Sequence, residues 1–156
     1  MFRISSTPLN PDALRRELLD PRAGGYVSFE GRVRNRNADR AVCSLEYESY
    51  RELAEREGAR IIAEAQRKFA ILSAACVHRR GRLQIGDLAV WAGVAAEHRG
   101  AAFAACSYII NETKKRVPIW KKEHYATGKS EWIAPAGRGR PEKPPRKAGR
   151  ETKQGA

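Results

Sequence analysis

Residues 99–123 read RGAAFAACSYIINETKKRVPIWKKE and place a helix directly before an extended segment. The first eighteen residues predict a long helix, which Pro118 ends because proline disfavours helical geometry at the preceding Val117. Beyond the proline, IWKKEHYATGKSEWI (119–133) predicts two short strands around a turn. A long helix that leads into a strand pair is typical of a mixed domain in which the sheet is antiparallel.

The sequence before this segment predicts the rest of the domain from its turn residues and apolar periodicity. The predicted elements are a short helix at 11–20 capped by Asn10, a hairpin of strands at 24–34 and 41–50, an amphipathic helix at 50–69, and an antiparallel strand pair at 72–81 and 88–97. The order ββαββα followed by ββ favours an α+β fold with a mostly antiparallel sheet and two long helices over a doubly wound fold.

The charge is distributed unevenly over the 156 residues. The formal net charge is +12, of which residues 137–156 carry +5, from seven Lys or Arg and two Glu, and residues 1–136 carry +7. That C-terminal segment has no aliphatic side chain larger than alanine, so it cannot bury enough apolar surface to offset the entropy of ordering. We therefore predict one domain at 1–136 and a disordered basic tail at 137–156.

Several classes of protein are excluded by what the sequence lacks. No apolar run approaches the roughly 20 residues of a membrane span, and the N-terminus has no signal-peptide pattern, so we expect a cytoplasmic protein. The sequence has no GxxxxGK[ST], GxGxxG, CxxC, HExxH or GxSxG motif, and we expect neither a metal nor a cofactor. The three cysteines lie in apolar contexts and are expected to be reduced core residues: Cys43, Cys76 and Cys106.

Three basic clusters remain as candidates for function. They are GRVRNRN (31–37), EHRG (97–100) and KKRVPIWKKE (114–123). The first could be a solvent-facing strand edge and the second an exposed polar helix start. A helix N-terminus, however, attracts anions through its unpaired amides, and His98 and Arg99 would add donors for phosphate oxygens.

The third cluster separates into surface and site residues by helical phase. At about 100° per residue, Phe103, Ile110 and Lys114 lie within roughly 40° of one another, so Lys114 continues an apolar stripe. Lys115 and Arg116 point elsewhere and are expected to serve the surface. A lysine at such a position could simply extend to solvent, but it also suits a proton donor or an anion ligand. If Ile119 faces inward in the extended segment, Lys121 joins Lys114 at one site.

Four motifs in this order, FEGRVRN (29–35), HRRGRLQIGD (78–87), EHRGAAF (97–103) and KKRVPIWKKE, resemble the catalytic, large subunit of molybdopterin synthase, the MoaE family. The resemblance covers about residues 10–134. It implies an α+β fold with a hammerhead-like subdomain and a sulfurtransferase that makes the dithiolene of molybdopterin from cyclic pyranopterin monophosphate. It also implies two partners: a small ubiquitin-like subunit that carries sulfur as a C-terminal Gly-Gly thiocarboxylate, and a second copy of this chain, in a heterotetramer.

The resemblance also assigns candidate site residues. The family's catalytic positions match Lys114 and Lys121, and its substrate-binding positions match Phe29, Arg34, His98, Arg99 and Ile110. A methionine is common in the family at the position of Ile110, and a family arginine after the last tryptophan strand is either shifted to Arg138 or missing.

Two other functions fit parts of the same sequence. A small nucleic-acid-binding protein would use the +7 body and the basic tail, but its binding should fall steeply with salt and should use exposed aromatic side chains. A relative without catalysis would bind only the partner, and the presence of Lys114 and Lys121 argues against it.

Overall fold

The computed structural model describes residues 1–133, which form three helices and nine strands. In chain order these are β1 Phe2–Ser5, α1 Pro11–Arg16, β2 Gly25–Arg32, β3 Arg36–Asn37, β4 Arg40–Ser49, α2 Arg51–Lys68, β5 Ser73–Arg79, β6 Gly81–Gln84, β7 Leu88–Ala96, α3 Arg99–Arg116, β8 Ile119–Tyr125 and β9 Ser130–Ile133. The predicted tail and Arg138 lie outside the described residues. No helix within 1–133 is long and apolar enough to cross a membrane.

The first sheet has the strand order β1-β5-β7-β2 and holds the main core. All nine residues of β7 are buried because both faces of the sheet are covered. Cys76 and Val94 pack with α2 and α3 on one face, whereas Val77 and Trp91 pack with α1 on the other. The predicted antiparallel pairing of β5 with β7 is confirmed, and the α+β fold with its mostly antiparallel sheets is confirmed with it.

The second sheet has the order β3-β4-β8-β9, with β6 paired to β4. Strands β8 and β9 form the pair that the sequence predicted after Pro118. The helix ends where predicted, because Val117 adopts an extended conformation with φ −71° and ψ 128°. The second sheet therefore receives its strand β8 directly from the C-terminal end of α3.

The predicted hairpin of residues 24–34 with 41–50 is wrong. Strand β2 pairs antiparallel with β7, and β4 pairs with β8 in the other sheet. The polar turn that suggested the hairpin exists, with positive φ at Ala38 and Asp39, but the strand before it is the two-residue β3. Local turn chemistry was identified correctly, whereas the partner of β2 lies more than fifty residues away and leaves no local signal.

Other differences follow from pairings of the same kind. The predicted loop at 82–87 contains part of β6, and β1 is an additional strand that pairs parallel with β5. Cys76 and Cys106 are buried free thiols as predicted, but Cys43 is exposed on β4.

The C-terminal turn of α3 is fixed to its surroundings by contacts on two sides. Arg116 forms ion pairs with Glu57 and Glu64 of α2, at 2.7 and 2.6 Å. On the sheet side, the Thr113 hydroxyl lies 4.0 Å from the Cys76 sulfur of β5. These contacts fix the position of the last turn of α3 and therefore of Lys114, which follows Thr113.

Candidate active site

A cavity of about 410 Å³ opens where the end of α3 meets both sheets. Its wall combines the ends of β2 and β5 from the first sheet with β4 and β8 from the second. The polar residues that decide its chemistry are Arg34, Tyr47, His78, Lys114, Lys121 and Glu123. Apolar side chains, among them Leu45, Val90 and Ile119, form the rest of the wall.

Lys114 enters the cavity from the last turn of α3. Its ammonium nitrogen lies 5.9 Å from the centroid of the Phe29 ring, within range of a cation–π contact. The predicted apolar stripe is only partly correct: Ile110 is buried, but Phe103 is 62% exposed and Lys114 is itself exposed. Phe103, Ile110 and Lys114 therefore lie along the edge of the buried face of α3, whose centre is Ala105 and Ile109. At this edge a side chain can contact both solvent and the cavity.

Lys121 projects from β8 into the same cavity and is held by a buried carboxylate. Its Nζ lies 2.9 Å from Oε1 of Glu123, which is 2% exposed. The Asn37 amide donates to both carboxylate oxygens at 2.9 Å, and the Tyr125 hydroxyl donates at 2.8 Å. Burial opposes ionisation of Glu123, but these donors outweigh it and hold its pKa below the ordinary value. The network leaves Lys121 little freedom to move.

His78 forms part of the cavity wall at the end of β5. Its Nδ1 lies 2.8 Å from the Arg79 carbonyl oxygen, and its ring meets the Tyr47 ring edge-on at 4.9 Å. Burial, with a further contribution from the charge of Lys114, lowers the pKa of His78 to about 4. Burial likewise raises the pKa of Tyr47 to about 12. Both side chains are therefore neutral at neutral pH.

The free charges in the cavity are positive. Arg32 is paired with Glu30, Arg36 contacts Asp39, and the one carboxylate in the wall, Glu123, is occupied by Lys121. Arg34 and Lys114, in contrast, have no carboxylate partner among residues 1–133. A cavity with unpaired cations in a partly apolar wall is suited to a small anionic molecule.

His98 and Arg99 lie at the other end of α3. Fifteen residues separate Arg99 from Lys114, a distance of about 22 Å along the helix. The helix start is set against β2, since a Cβ on Gly25 would lie 3.1 Å from the Cα of Arg99. Within one chain, these two residues therefore cannot reach the cavity that holds Lys114.

Phe29 and Ile110 line a shallower groove beside the cavity. This groove has a volume of about 320 Å³ and an apolar wall that also includes Val27 and Phe103. The Phe29 ring is 37% exposed and lies between the groove and the Lys114 ammonium group. Residues 1–133 contain no cluster of three or more His, Cys, Asp or Glu side chains arranged to hold a metal ion.

Comparisons with known proteins agree with one another. The family described as MoaE protein matches residues 4–116, which run from β1 to the end of α3. The chain belongs to the MoaE family. The molybdopterin synthase catalytic subunit of Thermoplasma volcanium is 42% identical over 129 residues, 83% of this chain and 94% of that protein.

Two solved structures share the fold. Molybdopterin synthase from Staphylococcus aureus superposes with a TM-score of 0.81 at 37% identity, over 85% of this chain and 96% of that one. A chain in the complex of subunits 1 and 2 of the molybdopterin-converting factor from Helicobacter pylori gives a TM-score of 0.68 at 20% identity, over 88% and 91%. The second likeness concerns the fold alone.

The cavity thus brings together some of the predicted residues, and the fold separates others from it. One cavity is lined by Arg34, Lys114 and Lys121. The two lysines, which lie on either side of Pro118 in the sequence, therefore share a site as predicted. Glu123 was missed, although its spacing of two from Lys121 on a strand places both on one side. His78 was missed as well, although it begins one of the four motifs that carry the family resemblance.

Proposed function

We propose that this MoaE chain is the catalytic subunit of a molybdopterin synthase and that its cavity is where cyclic pyranopterin monophosphate receives sulfur. The family relationship makes the chain a sulfur-transferring enzyme, as its curated relatives are. The assignment of the site rests on one observation: a single cavity is lined by Lys114, Lys121 and Arg34, and its unpaired charges are positive.

The sulfur donor in this proposal is the C-terminal thiocarboxylate of a small ubiquitin-like subunit. Its extended Gly-Gly end would reach Lys114, whose ammonium group polarises the thiocarboxylate carbonyl. In each transfer the sulfur bonds to a carbon of the pterin side chain as that carbon loses its oxygen substituent, and water cleaves the acyl–sulfur bond so that the carrier leaves as a carboxylate, while Lys114 moves protons between these groups. Two carriers in turn supply the two sulfurs. Lys121, held by Glu123, stabilises the negative charge that develops as the cyclic phosphate opens. Phe29 and Ile110 provide the apolar wall next to the reacting end.

The phosphate end requires a second copy of the chain. Arg34 lines the cavity, but His98 and Arg99 are about 22 Å from Lys114 along α3 in the same chain. We place them in the cavity of a neighbouring copy, in a symmetric dimer that carries one small subunit at each outer end. The proposed location is the cytoplasm, and the supporting observation is that Cys43, Cys76 and Cys106 are all free thiols.

The decisive experiment is a single-turnover reaction with cyclic pyranopterin monophosphate and a thiocarboxylated Gly-Gly carrier protein, followed by mass spectrometry of the pterin product. The wild-type chain should yield a product with two added sulfurs. Lys114→Ala should slow its formation by at least about 100-fold, since a positioned proton donor contributes that much or more. Lys114→Arg should also be slow, because arginine keeps the charge but does not release a proton at neutral pH.

Lys115→Ala is the matched control. Lys115 is the next residue of the same helix, but it is 63% exposed and pairs with Glu112. Its replacement should leave sulfur transfer unchanged. Wild-type rates for Lys114→Ala would refute the proposed role of the cavity, and binding of the carrier without any sulfur transfer by the wild-type chain would indicate a partner-binding protein that lacks catalysis.

A further inference from the structure

The motif HRRGRLQIGD is the one part of the family resemblance to which the proposed mechanism gives no task. Two of its members have structural roles: Arg79 forms an ion pair with Asp87 at 3.1 Å, and the Asp87 carboxylate also accepts from the Gln84 amide. These contacts hold the turns around β6. His78, the first residue of the motif, takes no part in them and forms part of the cavity wall instead.

The fold places His78 beside Lys114. Cys76 and His78 are two apart on β5, so their side chains project from the same face of the sheet, the face that α3 covers. Cys76 contacts Thr113, and one step further along each element come His78 on the strand and Lys114 on the helix. Thr113, Lys114 and His78 all line the cavity, and the charge of Lys114 acts on the His78 ring.

The hydrogen bond of His78 fixes which nitrogen accepts. A carbonyl oxygen only accepts, so the contact with the Arg79 carbonyl requires Nδ1 to carry the proton. In the neutral ring, Nε2 is then a lone-pair acceptor. Nε2 has no hydrogen-bond partner among residues 1–133. It is also not one of the unpartnered side-chain atoms that are fully buried, so it has access to the cavity. Its lone pair is therefore available to a donor in the cavity.

The two lysines of the cavity differ in their surroundings. Lys121 is held by the carboxylate of Glu123, which fixes its position by a charge–charge interaction. Lys114 forms no ion pair among residues 1–133; its ammonium nitrogen lies 5.9 Å from the centroid of the Phe29 ring, and its charge acts on the neutral His78 imidazole. A neutral acceptor can orient an ammonium group without cancelling its charge, which a residue that binds an anion and moves protons requires.

We propose that His78 is the positioning residue for Lys114: when the substrate is bound, the Lys114 ammonium group donates a hydrogen bond to the free Nε2 of His78, which holds that group at the reacting end of the substrate. This inference rests on the proposed function, in which Lys114 acts on the thiocarboxylate. Nδ1, the proton-bearing nitrogen of the ring, stays bonded to the Arg79 carbonyl throughout, so the acceptor Nε2 does not turn away from the cavity.

The test compares two replacements of His78 in the single-turnover assay. An asparagine amide can imitate the Nδ1 donor but does not reach the place of Nε2, whereas a glutamine can put its carbonyl oxygen close to that place. His78→Asn should lower the rate constant of sulfur transfer about tenfold, the scale of one lost hydrogen bond to a charged group, with little change in the substrate concentration for half-maximal rate. His78→Gln should retain most of the rate.

A double-mutant cycle then separates positioning from structure. In the Lys114→Ala background, His78→Asn should cause no further loss, whereas in the Lys115→Ala background the full tenfold loss should remain. An equal loss in both backgrounds would overturn the inference while leaving the proposed function intact. If Lys114→Ala alone had no effect, the proposed function itself would fail. His78→Leu, which has no acceptor, replaces the asparagine variant if urea unfolding shows the latter to be unfolded.

Discussion

His78 should make the folded protein sensitive to mild acid. The unfolded chain has an ordinary histidine with a pKa of 6.5, whereas burial, together with the charge of Lys114, lowers the pKa of His78 in the folded chain to about 4. Between these values the unfolded chain binds a proton that the folded chain does not. Stability is therefore fully present above pH 6.5 and falls as the pH drops towards 4.

The two pKa values set the size of the effect. At pH 5 the difference in proton binding corresponds to a loss of about 2 kcal/mol relative to pH 7.5, and the full difference approaches about 3 kcal/mol near pH 4. Because His78 is only 9% exposed, little of this is screened by solvent. A loss of about 2 kcal/mol is a large fraction of the stability of a domain of this size.

The measurement is urea unfolding of the wild-type chain and His78→Gln at pH 7.5 and pH 5. The wild-type chain should lose about 2 kcal/mol more than the variant between the two conditions, because glutamine does not titrate. Carboxylates that titrate at the lower pH contribute equally to both proteins and cancel in the comparison. The exposed His98, replaced by Gln, is the matched control and should behave as the wild type does. Equal losses for the wild-type chain and His78→Gln would refute the reasoning.

Two further predictions concern the lysines and the dimer. Glu123→Gln should lower the free energy of unfolding by about 2 to 3 kcal/mol in urea titrations, because it leaves Lys121 without its buried counter-charge, and an unchanged stability would contradict the network described for that carboxylate. Mixing Lys114→Ala chains with Arg99→Ala chains should restore about one quarter of the wild-type sulfur transfer, since random exchange makes half of the dimers mixed and each mixed dimer has one intact site. No recovery, under conditions in which native mass spectrometry shows exchange, would place both residues in a site of one chain.

Helix α3 and the break after it could be predicted from local patterns. The apolar periodicity and Pro118 act over a few residues, so the end of the helix and the start of β8 were correct. The same periodicity separated Lys114 from Lys115, which pairs with Glu112 on the surface. Helical phase is local information because each residue turns about 100° from the last.

Strand pairing and the composition of the cavity depend on contacts far apart in the sequence. The partner of β2 is β7 and that of β4 is β8, so the hairpin expected from a nearby turn was wrong. The same long-range pairings bring Asn37 to Glu123, eighty-six residues away, and His78 to the end of α3. Residue types in the sequence identified the family and its basic residues. The pairing of the strands decided which of these residues lie together. The local sequence of a strand does not specify its partner, because backbone hydrogen bonds between strands are the same for any partner.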